Sequence, residues 1–327
     1  MADLNLNYRY YEPGDEAHIV PLWNRTLISD PITAKRFRNL VLLDANFDPQ
    51  GMRLAFEGTD LAGCVYAVRR RLPMHGTDVD PENGWIPFFF TAASHRRQGI
   101  GSRLLHDAFG FLRKQGRQTV FFASYAPNYI VPGIDAKAYP EGRAFLQRHG
   151  FVRQARAVAM DIPLAGFEIP AEVQDLKRQR LAEGYSFESA QDRDLVELIG
   201  FATREFNPDW GRAIREGILQ GLPLSQIIVA REKERLVGFC MHGGYEGIRE
   251  RFGPFGVDPA QQGRGLGKIL LYDVLFGMRA IGLHGAWFLW TGETTPAGVL
   301  YARSGFAITR KFDVMRRSIA NPEFNIE

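Results

Sequence analysis

One succession of features occurs twice along the 327 residues, and no other property of the chain restricts its fold as much. An alternating segment ending in Arg53-Leu54-Ala55-Phe56-Glu57 turns tightly into Leu61-Ala62-Gly63-Cys64-Val65-Tyr66-Ala67, the pattern of a β-hairpin. Its counterpart is Gln226-Ile227-Ile228-Val229-Ala230 followed by Leu236-Val237-Gly238-Phe239-Cys240. The spacing between matched landmarks shrinks along the chain. It is 175 from Gly63 to Gly238, 166 from Gly99 to Gly265, and 155 from Gly150-Phe151 to Gly305-Phe306. Each step down is an insertion in the first copy, near 73–84 and near 125–139, both rich in the Pro and Gly of connecting segments. A chain this long also exceeds what one hydrophobic core usually serves, so two domains are expected on independent grounds.

Within each copy the order reads strand, one or two helices, three strands, helix, strand, helix and one or two closing strands, an α/β pattern. The second copy's central helix carries Leu266, Ile269, Leu270, Val274, Leu275, Met278 and Ile281 at helical period, and its first-copy partner carries Ile100, Leu104, Leu105, Ala108, Phe109 and Leu112. Both faces are expected to pack on a sheet. Between the copies, Pro163, Pro170 and the polar run Asp175-Leu176-Lys177-Arg178-Gln179-Arg180 suit a linker or a short exposed helix. The expected division is 1–165, a linker over 166–183, and 184–327.

Each central helix opens on glycines. A strand-like Phe252-Gly253-Pro254-Phe255-Gly256-Val257 runs through Asp258-Pro259 into Gln262-Gly263-Arg264-Gly265-Leu266-Gly267. A helix's first turn has unpartnered N–H groups and the positive end of its dipole, so glycines there let a diphosphate approach bare backbone. A P-loop does not fit, because Gly267-Lys268 is followed by Ile269 and Gln262 stands where its first glycine belongs. A Rossmann fingerprint fails at Leu270 and lacks its acidic residue. The pattern present is Arg/Gln-x-x-Gly-x-Gly, filled by Gln262, Gly265 and Gly267 and again by Arg96, Gly99 and Gly101.

That repeated pattern resembles the acetyl-CoA signature of the GNAT superfamily, and with the Gly-Phe strand starts the resemblance covers nearly the whole chain as two tandem GNAT-like domains. It implies an α/β fold in which each domain has a mixed, mostly antiparallel twisted sheet, with a splayed central strand pair flanked by helices. It implies acetyl-CoA as co-substrate of an N-acetyltransferase. Backbone at Phe255, Gly256 and Val257 would meet the pantetheine arm, and Gln262, Gly263, Arg264, Gly265, Leu266, Gly267 and Lys268 would hold the pyrophosphate. Arg96, Arg97, Gln98, Gly99, Ile100 and Gly101 form the matching first-copy loop.

In many members a Tyr four residues before the late glycine protonates the departing thiolate, and here that residue is Tyr301. The first-copy register holds Leu146, so the second domain is expected to be catalytic and the first a diverged, non-catalytic copy. Thr294 stands where the family often has an Asn contacting CoA. Glu246, Glu250, His242 and Glu293 border the expected site as candidate bases, with Glu250 favoured, and Trp290 is a pocket candidate. The acceptor implied is a small-molecule or peptide amine. Two other readings are a non-catalytic CoA-binding sensor or assembly module, and acetylation of a small thiol precursor, since the layout is similar to that of the mycothiol synthase family.

Composition narrows the alternatives. A net charge of +3 with scattered basic residues falls short of a nucleic-acid footprint, and Arg69-Arg70-Arg71 is expected to be a solvated strand end. Cys64 and Cys240 are the only cysteines and no Cys/His cluster is present, so neither a disulfide framework nor a metal site is expected. Met1-Ala2-Asp3-Leu4-Asn5 shows no basic stretch leading into an apolar one, and no apolar run reaches the roughly 18 residues of a membrane span. A soluble cytoplasmic protein, monomer or homodimer, is the expectation.

Overall fold

A computed structural model describes residues 5–320; of the stretch read for a leader, 1–4 lie outside the described residues. The first copy runs β1 (Leu6–Tyr10), α1 (Glu16–Thr26), α2 (Ala34–Phe37), β2 (Met52–Glu57), β3 (Asp60–Val68), β4 (Asn83–Thr91), α3 (Ile100–Lys114), β5 (Thr119–Phe122), β6 (Ile134–Asp135), α4 (Pro140–Arg148) and β7 (Val152–Pro163). After α5 (Ala171–Ala182) the order returns as β8 (Tyr185–Ser189), α6 (Leu195–Glu205), α7 (Pro208–Leu219), β9 (Ile227–Glu232), β10 (Arg235–His242), β11 (Phe252–Val257), α8 (Leu266–Ala280), β12 (Gly285–Thr291), α9 (Pro296–Arg303) and β13 (Ala307–Ser318). The α/β order read from the pattern is therefore the order of the fold. Both insertions lie where the spacing put them: 69–82 against 243–251 between the matched strands, and 123–139, including β6, against 292–295.

Contacts divide the chain into two units that are not contiguous in sequence. Unit 1 holds the chain up to Pro73, Asp78–Ala157 and the chain from Lys311, while unit 2 holds Met74–Thr77 and Val158–Arg310. Two strands change unit part-way along, β7 after Ala157 and β13 after Arg310. In unit 1 the end of β13 pairs antiparallel with β5, from Met315 opposite Phe122 to Ser318 opposite Thr119. In unit 2 the end of β7 pairs antiparallel with β12, with Ile162 opposite Ala286 and Met160 opposite Phe288. The end of β7 thus lies beside β12 in unit 2, and the end of β13 beside β5 in unit 1.

In unit 1, β1 to β4 pair antiparallel in sequence order. The parallel pairing of β4 with β5 begins at Asn83 opposite Thr119 and ends at Ile86 opposite Phe122. The next residue is Pro87, which has no N–H to give, so β4 continues alone and the two strands part. Unit 2 pairs β8, β9, β10 and β11 antiparallel. There β11 and β12 touch in parallel only at Arg251 and Trp287, where the Trp287 N–H donates to the Glu250 carbonyl at 3.0 Å.

The helix faces follow the sequence reading in unit 1. All six expected apolar positions of α3 are buried against the sheet, and a fully buried Leu such as Leu104 contributes about 1.5–3 kcal/mol. In unit 2, Leu271 and Tyr272 are buried as well, because α5 and Phe167 cover the face of α8 that its counterpart leaves open, with Phe167 stacked on Tyr272 at 5.6 Å. Ile281 lies beyond the end of α8 and is exposed.

Within unit 1, Asp313 on β13 is 2% exposed and meets Arg143 Nε at 2.7 Å, Arg156 Nε at 3.3 Å and Arg153 Nη1 at 3.6 Å. Burial alone would raise its pKa. The hydrogen bonds and charges of these arginines outweigh that and hold the carboxyl below its ordinary value. The Arg69-Arg70-Arg71 run is not wholly solvated: Arg70 is buried, lies 5.0 Å over the Trp85 ring and donates to the Ala126 carbonyl, and Arg71 is the exposed member.

Candidate active site

Both glycine loops adopt the same backbone. Gly99 (φ +80°) and Gly265 (φ +77°) are left-handed residues immediately before α3 and α8, a conformation that glycine enters without steric cost. Two residues earlier the copies differ, with Gly263 at φ +82° but Arg97 at φ +62°. Holding a non-glycine there costs roughly 1–3 kcal/mol, and such strain concentrates at functional positions.

The first loop is open. A side chain placed on Gly99 would meet nothing within 4 Å, and one on Gly101 would reach only ordinary contact with Phe145, at 3.4 Å. Beside it runs a cleft of about 1420 Å³, above the roughly 300–1,000 Å³ of common small-ligand pockets. It passes along β4 where β5 leaves it, between α3 and α4, and on to the turn after α1. Arg96, Arg97, Arg113, Arg148 and Arg317 stand on its wall. The length, the bare first turn and these cations fit an elongated polyanion such as CoA. Arg96 and Arg97 also approach Glu141 at 3.4 and 3.9 Å.

Also on the cleft wall, the Tyr139 hydroxyl donates to Asp30 Oδ2 at 2.8 Å, and the Trp23 indole N–H donates to the Asp30 carbonyl at 2.7 Å. Burial, followed by the hydrogen bond and charge of Asp30, pushes the Tyr139 hydroxyl above the ordinary phenol range. His149 Nδ1 is 2.9 Å from the Phe145 carbonyl and Nε2 is 3.1 Å from Ser102 Oγ. A carbonyl only accepts, so Nδ1 carries the neutral ring's proton and Nε2 accepts from Ser102. Leu146, in the expected acid's register, is fully buried.

The second loop is partly covered. Leu176 of α5 lies 2.7 Å from where a side chain on Gly265 would begin, and Arg180 Nε donates to the Arg264 carbonyl at 2.7 Å. Lys177 pairs with Asp273 at 2.7 Å and Glu172 with Lys268 at 3.6 Å. The Arg264 guanidinium turns to the Tyr185 hydroxyl, and Gln262 and Gly263 remain exposed. A side chain on Gly267 would meet Phe255 at 3.2 Å, one on Gly256 would strike the Phe206 ring, and Leu266 is buried.

Tyr301 sits among aromatic rings, with centroids at 4.6 Å from Phe288, 5.4 Å from Phe306, 5.9 Å from Phe252 and 6.0 Å from Phe255. It is buried, and that burial pushes its hydroxyl well above the phenol range. The other candidates are spread out. Glu250 is half-buried where β11 and β12 part, Glu246 accepts from Arg251 at 2.9 Å, and buried His242 donates from Nδ1 to the Arg249 carbonyl at 2.7 Å. Burial lowers the His242 pKa. Glu293, Thr294 and Trp290 are exposed, and Val257 is half-buried.

Sequence reasoning missed Asp30 and Tyr139. A signal for Tyr139 existed: it lies seven residues before Leu146, as Thr294 lies seven before Tyr301. Asp30 had none, since its partner is 109 residues away.

Among the described residues no helix is long and apolar enough to cross a membrane, and no group of three or more His, Cys, Asp or Glu is placed to hold a metal. Models of the acetyltransferase (GNAT) family and of the acetyltransferase (GNAT) domain match residues 20–133 and 223–308. A mycothiol acetyltransferase of Pseudarthrobacter chlorophenolicus is 29% identical over 270 residues, covering 76% of this chain and 72% of that protein. Among solved structures, the fold is similar to a GCN5-related glucosamine N-acetyltransferase region of a fungal multi-domain GH3 beta-N-acetylglucosaminidase, with a TM-score of 0.79 at 19% identity. That match covers 97% of this chain and spans 38% of the fungal protein's length. A tandem GNAT protein of the clavulanic acid biosynthesis pathway matches over 98% of this chain and 100% of its own, with a TM-score of 0.64 at 16% identity.

Proposed function

The chain belongs to the GNAT superfamily as an acyltransferase of two tandem GNAT domains, and from that premise we propose that it transfers an acetyl group from acetyl-CoA to a primary amine, with acetyl-CoA taken in the cleft of unit 1. The observation that carries this reading is the contrast between the loops: the turn at Gly99 faces an open cleft of about 1420 Å³, while Leu176 overlies the matching Gly265. The strained Arg97 supports it, as does the line of cations that would meet the CoA phosphates. Transfer needs no covalent intermediate, since an amine held against the thioester carbonyl already avoids much of the barrier.

A second reading keeps the chemistry in the second unit, with Tyr301 as acid and Glu250 as base. It is favoured by the position of Tyr301 against both Phe255 of β11 and Phe288 of β12, the strands that part. Titration calorimetry followed by a crystal soaked in acetyl-CoA separates the two. The expected result is one equivalent bound, with its diphosphate at 99–102. Density only at 263–268 would overturn the reading in favour of the second. The names of the relatives make glucosamine and a small amine-bearing thiol precursor sensible first acceptors to assay. Stoichiometric binding without acetyl-CoA consumption would instead support a sensor.

A further inference from the structure

The carboxylates in the cleft of unit 1 bear on the acceptor. The cleft's cations lie along α3, α4 and the end of β13, the side suited to a polyanion. Two carboxylates stand on its wall, Glu141 and Asp30. Glu141 faces Arg96 and Arg97, on the cationic side. Asp30 stands in the turn after α1, joined to Tyr139, which lies just before α4. A carboxylate on the wall of a cleft is a partner for an ammonium.

Asp30 is also held in place. The Trp23 indole clamps its backbone carbonyl, and Tyr139 reaches its carboxylate from the residue just before α4. Tyr139 and Pro87, where β4 and β5 part, both line the cleft, while the position an acid is expected to fill is the fully buried Leu146.

We propose that Asp30 docks the ammonium of a cationic primary amine and that the Asp30–Tyr139 pair conducts a proton from that amine to the departing thiolate. The inference rests on the reading that acetyl-CoA occupies this cleft. Asp30 takes one proton from R–NH3+, which frees the nitrogen lone pair. The C–N bond forms as the C–S bond breaks, Tyr139 gives its hydroxyl proton to sulfur, and Asp30 returns the first proton to the phenolate. The second surplus proton on nitrogen leaves to water. The balance is R–NH3+ plus acetyl-CoA to acetamide, free thiol and H+, with both side chains restored.

The experiment uses the full chain with acetyl-CoA and three probe amines, glucosamine, spermidine and lysine amide. Tyr139→Phe removes one oxygen and keeps the ring. It is expected to bind acetyl-CoA within twofold of wild type by calorimetry and to lose about 100-fold in kcat, with the amine KM unchanged. Asp30→Asn is expected to raise the amine KM about tenfold as well as lowering kcat, and Asp30→Glu to recover part of both, which a purely structural role would not produce. Turnover within twofold of wild type in Tyr139→Phe and Asp30→Asn overturns the proposal, as does a wild-type chain that binds acetyl-CoA in unit 1 but acetylates none of the probes. Acetyl-CoA binding that survives a charge placed at Gly101 would instead overturn the reading beneath it, and is recognised by calorimetry alone.

Discussion

Two loops of one pattern and nearly one backbone differ in what lies over them. At 262–267 the loop has three glycines, yet Leu176 rests on Gly265 and Arg180 on the Arg264 carbonyl. At 96–101 the loop has a strained Arg97 where the other has Gly263, and stands open beside a large cleft. Both loops fill the same pattern, yet one is the more covered. A motif reports the backbone a segment can adopt, whereas access depends on residues elsewhere that no motif includes.

The largest test of this contrast is charge. Gly101→Asp puts a carboxylate where a diphosphate would lie and is expected to weaken acetyl-CoA binding at least 100-fold, about 2.7 kcal/mol. Gly267→Asp is expected to change it less than twofold. Equal losses by calorimetry would dissolve the distinction between the loops.

A smaller effect concerns the frame of unit 1. Asp313→Asn is expected to cost about 1–3 kcal/mol in denaturant unfolding, since it removes the charge that three arginines share. The folded Asp313 pKa is depressed, so its contribution is full above the unfolded value near 4 and is lost as pH falls through the lower folded value. The melting temperature of the wild type should therefore fall with acidification through that window, and that of Asp313→Asn should fall less.

Smallest of all is the expected effect of Tyr301→Phe, which should leave kcat within about twofold. A fall of 100-fold would move the chemistry to unit 2.

Much of the fold was legible in the sequence because it is written in local periods. The hairpins at 53–67 and 226–240, the apolar face of α3 and both insertions all follow from alternation, helical spacing or offset. What the sequence hid depends on partners. The alternation in β7 and β13 says that each is a strand but not which sheet receives its end. Leu176 lies in a helix in which seven of twelve residues are Asp, Glu, Gln, Lys or Arg, which reads as solvated until its contact with Gly265 is seen. The open loop was found by its glycines, but Asp30 and Tyr139 were not, because a hydrogen bond spanning 109 residues leaves no local trace.

The exchanged closing strands also set an order of events. Met315 to Ser318, which pair with β5 beside the cleft, are made only after the whole of unit 2 up to Arg310. Domains generally fold as they emerge, first one and then the next. Here unit 1 waits with one edge of β5 unpaired until unit 2 has been translated, and only then can the end of β13 close its sheet. Removing β13 would leave the half made first unfinished.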